Sequence, residues 1–441
     1  MKKALIITYY WPPSGGAGVQ RWLKFVKYLR GFEWEPVVYT PENPESPIND
    51  DSLEKDVPKE VTVLKTHIWE PYHAYKRFIG QKKGEKINAA FLSESKKPKK
   101  SEKIAVWIRG NFFIPDARAF WVKPSVKYLT EYLQKNPVDV IISTGPPHSM
   151  HLIAEKLKEK MNLPWVADFR DPWTNIDFYS DLMLTKGSDR KHKKLELEVL
   201  QKADAVIAVG QTMKQELADI LQKAVPQKKD KFYFIPNGYD PDDYTERNSV
   251  VLDKKFSMAH IGSLDKSRNP KLLWKVLSEL IKKNADFAKD LEIKLVGKVD
   301  IAVQDDIGKY GLKAYLNKIS YLTHKEVTTL QEQAQVLLLL VNKTPNAKGI
   351  ITGKFFEYMA ARRPILVIGP VGGDVDKILT ETKVGLLADY DDAATLEKNI
   401  LEYYSLYKAG NLTSSGTNIE KYSRKSLTGE MANVLNTIIL K

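Results

Sequence analysis

An alternation constrains this chain more than any other feature. Short apolar runs of strand type take turns with stretches whose apolar residues recur at helical spacing. ALIITYY (4–10) opens the series. A Pro/Gly loop follows, and then GVQRWLKFVKYLR (18–30), which sets Trp22, Phe25, Val26 and Leu29 on one helical face. EPVVYT (35–40), VTVLKT (61–66), VDVIIST (138–144), WVADFR (165–170), DAVIAVG (204–210) and KFYFIPN (231–237) read as further strands, with helical patterns between most of them. A second series starts near residue 256 with the strand FSMAHIG (256–262) and the helix KLLWKVLSELIKKN (271–284). LEIKLVG (291–297), KISYL (318–322), AQVLLLLV (334–341) and RPILVIG (363–369) continue it as strands. The alternation predicts parallel sheets with helices on both faces: an α/β chain of two doubly wound domains in series. Their joint is expected near residues 238–254, where GYDPDDYTERNSVVLDK is polar and poor in apolar anchors.

Composition narrows the function. A length of 441 residues suits two to four domains, and 43% hydrophobic residues suffice for proper cores. Cysteine is absent, which excludes a disulfide scaffold, cysteine-ligated metal and a thiol nucleophile. The first apolar run is too short for a signal peptide. VLLLLV (336–341) falls far below the roughly 20 residues of a membrane span. These features predict a cytoplasmic, soluble protein. Its formal net charge of +13 favours anionic partners. Nucleic acid is not expected among them, because the lysines are scattered and no binding module is recognisable. Residues 70–125 interrupt the first series with KKGEK (82–86), KKPKKSEK (96–103) and the aromatic-rich IAVWIRGNFFIPDARAFW (104–121). One reading is a solvated lysine loop beside core aromatics. The other is an excursion that meets an anionic membrane surface or an acceptor, with lysines on head groups and Trp and Phe at the interface.

Several motifs carry chemistry. WPPSGGAGVQR (11–21) is a glycine-rich strand-to-helix loop, where backbone N–H groups can hold phosphate. It is not a P-loop, since no Gly-Lys-Ser/Thr closes it, and Arg21 stands where a dinucleotide fingerprint needs its third glycine. HIGSLDKSRNP (260–270) places Gly262 and Ser263 after a strand, with Lys266 and Arg268 close behind, which suits a diphosphate. In NAKGIITGKFFEYMAARRPILVIGP (346–370), a loop enters a helix that bears Glu357. Phosphates would lie near Gly349 to Gly353 at that helix start, and a carboxylate one turn in can accept two ribose hydroxyl hydrogens. His148, with His151 competing, follows a strand end in PPHS, where open α/β sheets bind ligands. Asp168, Arg170 and Asp171 in ADFRDPW (167–173) also sit at a strand end, and Asp116 and Arg118 lie in PDAR. Each of these acid–arginine sets could bind acceptor hydroxyls or simply hold its loop. No two-carboxylate pair fits an inverting acid and base.

In order and spacing, YYWPPSGGAGVQR, PDARAFW (115–121), STGPPHSMHL (143–152), VADFRDPW (166–173), ADAVIAVG (203–210), IPNGYD (235–240) and GKFFEYMAARRPIL (353–366) resemble glycosyltransferase family 4. The resemblance implies the GT-B architecture, with two Rossmann-like domains facing across a cleft. Residues 1–245 would form the acceptor-side domain and 246–426 the nucleotide-sugar domain. The last stretch, 427–441, would supply a helix, LTGEMANVLNTIIL, that crosses back to the first domain. It implies retaining transfer without metal, from a UDP- or GDP-linked sugar to a saccharide or lipid-linked acceptor. Such a reaction belongs to cell-surface polysaccharide or glycan biosynthesis, on the inner face of the membrane. Gly15 and Gly16 match the family's glycine loop, which approaches the donor phosphates, and Glu357 matches its ribose-binding glutamate. Gly262, Ser263, Gly349, Ile350, Ile351, Thr352 and Gly353 complete the expected donor site. Arg268 and Lys266 would neutralise the leaving diphosphate, and His148 would contact donor sugar or acceptor. Asp116, Arg118, Asp168, Arg170 and Asp171 are the acceptor-side candidates. Two departures stand out: Gly349 replaces the family's first glutamate, and Ser263 replaces its arginine. The departures leave room for a non-catalytic binding protein, and the fold also admits a sugar-nucleotide epimerase or hydrolase.

Overall fold

A computed structural model describes residues 1–45, 49–70, 100–226, 230–244, 250–320, 322–414 and 416–440. KKGEK (82–86) and the first half of KKPKKSEK lie outside the described residues. The chain divides into two compact units, Met1–Pro236 with Arg424–Lys441, and Asn237–Ser423. The division thus falls at Pro236 and Arg424, where the sequence suggested 245 and 427.

The first unit runs β1 (Lys2–Ile7), α1 (Ala17–Leu29), β2 (Trp34–Pro41), β3 (Thr62–Thr66), α2 (Lys100–Phe112), α3 (Val122–Lys135), β4 (Val140–Gly145), α4 (Ser149–Met161), β5 (Trp165–Phe169), α5 (Lys186–Lys202), β6 (Ala205–Ala208), α6 (Gln211–Ala224) and β7 (Phe232–Phe234). Its sheet has the order β3-β2-β1-β4-β5-β6-β7 and is parallel throughout. The central strands are buried on both faces, so they read as continuous apolar runs rather than alternating ones. Leu5, Ile7, Tyr39 and Ile141 point into one core, and Ala4, Ile6, Val38 and Ile142 into the other, as the two-residue period of a strand requires.

The second unit runs β8 (Phe256–Ile261), α7 (Lys271–Lys283), α8 (Ala285–Asp290), β9 (Leu291–Val296), α9 (Ile301–Lys309), β10 (Leu316–Ile319), α10 (His324–Gln333), β11 (Val336–Leu340), α11 (Gly353–Ala360), β12 (Ile365–Ile368), α12 (Asp374–Thr382), β13 (Gly385–Ala388) and α13 (Ala393–Lys408). Its parallel sheet has the order β10-β9-β8-β11-β12-β13. β10 starts two residues before the predicted KISYL, and β13 has no counterpart in the sequence reading. The chain then returns to the first unit as α14 (Arg424–Ile439). Leu427, Met431, Leu435 and Ile438 recur along one face of α14 and join the core lined by Trp22, Phe25 and Val26 of α1. Burying four such side chains contributes on the order of 6–12 kcal/mol before entropy is counted.

Both sheets reverse direction beside their first strand, between β1 and β4 and between β8 and β11. The loops at the carboxyl ends of those strands are where doubly wound sheets hold ligands. They carry GGAGVQ and GPPHS in the first unit, and GSLDKSR and NAKGIITG in the second.

Candidate active site

In the first unit the predicted acidic and basic residues are brought together, but mostly to hold one another. Asp168, at the end of β5, is fully buried. Its Oδ1 accepts from Arg21 Nη2 at 2.8 Å, and its Oδ2 from Trp22 Nε1 at 2.7 Å and Thr144 Oγ1 at 2.9 Å. Burial alone would raise its pKa, but the Arg21 charge and these hydrogen bonds hold it below the usual carboxylate value. Arg21 in turn donates to the carbonyls of Pro236 and Ile235 at 2.8 and 2.9 Å. The carboxylate predicted to bind acceptor is therefore an internal fastener of β4, β5, α1 and the end of β7. Arg170 likewise ties loops together. Its Nη1 donates to the Gly18 carbonyl at 2.9 Å, its Nη2 donates to the Pro146 carbonyl, and its guanidinium lies 5.7 Å from the Tyr10 ring. Asp171 alone of this set is exposed.

Asp116 accepts from Ser149 N and Oγ at 2.9 and 2.8 Å, and from Arg118 N at 2.9 Å. It thereby caps the first turn of α4. Arg118 is buried, pairs with Glu70 at 3.0 Å and lies 4.4 Å from the centre of the Tyr9 ring. In Asp116 and Arg118 too, side chains expected to meet acceptor are spent on the loops. Gly15 is buried, and Gly16 precedes α1 with φ at 92°.

The histidines form a desolvated cluster. His148 stacks on Trp173 at 4.4 Å with the ring planes 3° apart. Trp173 Nε1 donates to His192 Nδ1 at 3.1 Å. Trp165 Nε1 donates to Ser143 Oγ, and Ser143 Oγ shares a hydrogen bond of 2.8 Å with His151 Nδ1. Burial, and then the neighbouring positive groups, push the His148 pKa well below its ordinary value. Burial likewise pushes His151 down to about 3. Both rings are neutral at physiological pH. His148 Nδ1 and His151 Nε2 are buried without partners among the described residues, and both face the Cα of Gly145. A cavity of about 220 Å³ opens elsewhere in this unit, beside the ends of β1 and β2, lined by Trp11, Ser14, Glu42, Asn43 and Lys65 among others. The start of the WPPSGGAGVQR motif, Trp11 to Ser14, forms part of its wall.

The second unit builds its site around Gly262, whose φ of +112° turns the chain sharply out of β8. The side chain of Lys354, in the first turn of α11, lies across this glycine. A Cβ on Gly262 would clash with the ammonium. One turn further along α11, Tyr358 Oη accepts from Ile261 N at 3.0 Å and fixes the helix to the strand end. Arg268 approaches from the β8 loop, paired with Asp265 at 3.0 Å. Glu357 sits three residues beyond Lys354 and accepts from Gln331 Nε2 at 3.5 Å; Gln331 is itself held by Tyr244 Oη at 2.9 Å. Burial, followed by the Arg268 charge, lowers the Lys354 pKa from 10.5 to about 8. Thr352, the residue before α11, buries its hydroxyl oxygen without a partner among the described residues. Lys266 and Ser263 are exposed. Ile350 is less available than the sequence suggested, because its N–H is committed to the Ala347 carbonyl at 3.1 Å. Gly349 ends a short turn, Ala347–Gly349, and Ile351 and Gly353 lead into α11, where the first N–H groups have no intrahelical acceptor. Lys354 was missed in the sequence, although its position three residues before Glu357 puts both on one helix face.

Residues 81–243 match Glycosyltransferase Family 4. No curated protein matches the chain. Among solved structures, the chain resembles an E. coli trehalose-6-phosphate protein bound with UDP-2-fluoro glucose, at 12% identity, 99% coverage of each chain and a TM-score of 0.60. It also resembles S. aureus TarM in complex with fondaparinux, alpha-GlcNAc-glycerol and UDP, at 11% identity, 99% coverage of this chain, 100% of that one and a TM-score of 0.55. A protein from Listeria monocytogenes described as a UDP-N-acetylglucosamine 2-epimerase shares 10% identity, over 99% of this chain and 96% of that one, at a TM-score of 0.55. Two parallel-sheet units of this order, with these likenesses, show the GT-B fold. Within that fold, the stretch from 81 to 243 matches the family 4 model.

Proposed function

We propose that the protein transfers a hexose-type sugar, with retention, from a nucleotide-sugar donor to a saccharide or lipid-linked acceptor. The observation that carries this reading is the placing of Lys354 across Gly262, with the charges of Arg268 and Glu357 acting on its ammonium. Two cations and a helix start suit a diphosphate, and a carboxylate one turn deeper suits a ribose. The leaving diphosphate would gather charge as the glycosidic bond breaks, and fixed cations lower that barrier without reorganising. Retention is supported by the family match and by the lack of a free, paired acid and base among the buried carboxylates described above. UDP is favoured over GDP by the ligands in the two neighbouring complexes. His148, as a neutral ring at a strand end, would act by hydrogen bonding rather than as a charge. The cavity beside β1 and β2 offers hydroxyl-binding groups to an acceptor.

A panel of UDP-, GDP-, ADP- and CMP-sugars in a thermal-shift assay tests the donor site, since a ligand of the folded state must raise its apparent stability. A response to one nucleotide class is expected; silence of the folded protein across the panel would count against the reading. The anomeric configuration of the product, read by NMR, tests retention. The epimerase-like neighbour favours one rival, an enzyme that turns over donor alone. Product analysis without acceptor separates the two. Action at the inner face of a membrane, in surface-polysaccharide synthesis, is supported by Trp69, Phe112 and Phe120, which are 59%, 69% and 54% exposed near the lysine-rich sequence. Binding to vesicles that ignores their anionic lipid content would refute an electrostatic anchor there. No helix among the described residues is long and apolar enough to cross a membrane.

A further inference from the structure

Lys354 sits in an unusual setting. Its ammonium makes no hydrogen bond or ion pair among the described residues, yet it is packed down onto the Gly262 backbone beside a second cation. The groups facing it are few. Arg268 and Asp265 come from the loop after β8, and Arg268 is already neutralised by Asp265. Glu357 comes from its own helix and is engaged by Gln331. His260, on β8, is neutral, with its pKa depressed to about 3 by burial and by Lys354 itself. The loop after β9 contributes only Gly297, which packs on the Gly262 carbonyl. Among the described residues Lys354 thus has no paired anion, only the more distant pull of Glu357 and Asp265. A desolvated ammonium without a counter-ion is costly, and an arriving anion removes that cost.

We propose that the donor diphosphate is the missing counter-ion of Lys354, so that donor binding is coupled to the protonation of this one side chain. The proposal rests on the donor-site reading above and deepens it. In the free protein Lys354 loses its proton near pH 8. A diphosphate against the ammonium favours the charged form and moves that titration upward. Affinity is therefore highest below pH 8 and falls as pH rises through it, approaching tenfold per unit until the bound-state titration is reached. Near pH 8.5, binding should draw most of one proton from solution. The phosphate, with a second pKa of about 6, is nearly fully ionised above pH 7.5 and adds little to the change across pH 8.

The test uses UDP and GDP, titrated calorimetrically into the full chain between pH 7 and pH 9, in buffers of different protonation enthalpy. Wild type should bind one of them, weaken above pH 8 and show proton uptake. Lys354→Arg keeps the charge at all these pH values, so it should bind at pH 7 but lose both the alkaline weakening and the proton uptake. Lys354→Ala should bind roughly ten- to a hundredfold more weakly at pH 7. Melting curves establish that both variants fold. Affinity that is flat from pH 7 to pH 9 in wild type, or unchanged in Lys354→Ala, overturns the proposal while leaving the donor site intact. If neither nucleotide binds wild type at any pH, the donor-site reading itself fails, and this proposal with it.

Discussion

Replacing Asp168 by alanine strands a charge. Arg21 is itself buried, and without the carboxylate its guanidinium keeps only the Ile235 and Pro236 carbonyls. Trp22 Nε1 and Thr144 Oγ1 lose their acceptor at the same time. Breaking one side of a buried ion pair costs about 3–5 kcal/mol. At roughly 2–4 °C per kcal/mol for a unit of this size, the first thermal transition should fall by roughly 6–20 °C. Arg21→Met/Asp168→Leu removes both charges together, so it should be destabilised by less than the two single substitutions combined, by about 1–3 kcal/mol. The pH arm has a definite sign. Asp168 is held below its unfolded pKa, so its contribution is complete above about pH 4 and is lost only as pH falls through the lower folded value. The gap between wild type and Asp168→Ala should therefore stay constant from pH 5 to pH 9. Scanning calorimetry measures both quantities. A shift below 1 kcal/mol, or a gap that closes between pH 6 and pH 5, would refute the argument that this pair is desolvated and ionised.

Acid should destabilise the fold through its buried histidines. His151 and His260 are held neutral at pKa values of about 3, so stability is full above pH 6.5 and declines as pH falls toward 3. The loss is about 2 kcal/mol per histidine at pH 5, readable as a falling urea midpoint, and His151→Gln should flatten the slope. Gly145→Ala puts a Cβ 2.6 Å from His151 Nε2 and 2.9 Å from His148 Nδ1. It should cost about 1–3 kcal/mol of stability, checked by melting temperature; an unchanged melt would mean that the two rings are free to move. Glu357→Gln leaves the helix intact and should weaken nucleoside binding by about tenfold; because the carboxylate supports the Lys354 charge, the alkaline weakening should also move to lower pH.

The fold was legible because both sheets bury their strands on two faces, and such strands announce themselves as apolar runs. β13 escaped notice for a local reason. Only four residues long, at the sheet edge and started by a glycine, GLLA offers no period to read. The site was legible in place more than in role. Asp168 does stand at a strand end, as the sequence indicated. Its partner Arg21 comes from the first turns of α1, and no spacing rule links positions so far apart. The same holds for Asp116, which caps a helix 33 residues away. Lys354 is the opposite case. The letters that place it beside Glu357 are adjacent in the sequence, but its meaning depends on Gly262, whose left-handed turn clears the space that the ammonium fills.

The return of the chain into its first unit has a consequence for biosynthesis. α14 is made long after α1, yet it covers the apolar face of that helix. Until it arrives, Trp22, Phe25 and Val26 lack part of their cover. At roughly 5–20 residues per second, translation from Pro236 to α14 takes roughly 10–40 s. The amino-terminal half therefore waits on the ribosome as an unfinished body with an open greasy flank, a natural client for holding chaperones. A chain cut short before α14 would keep that flank open for the life of the molecule.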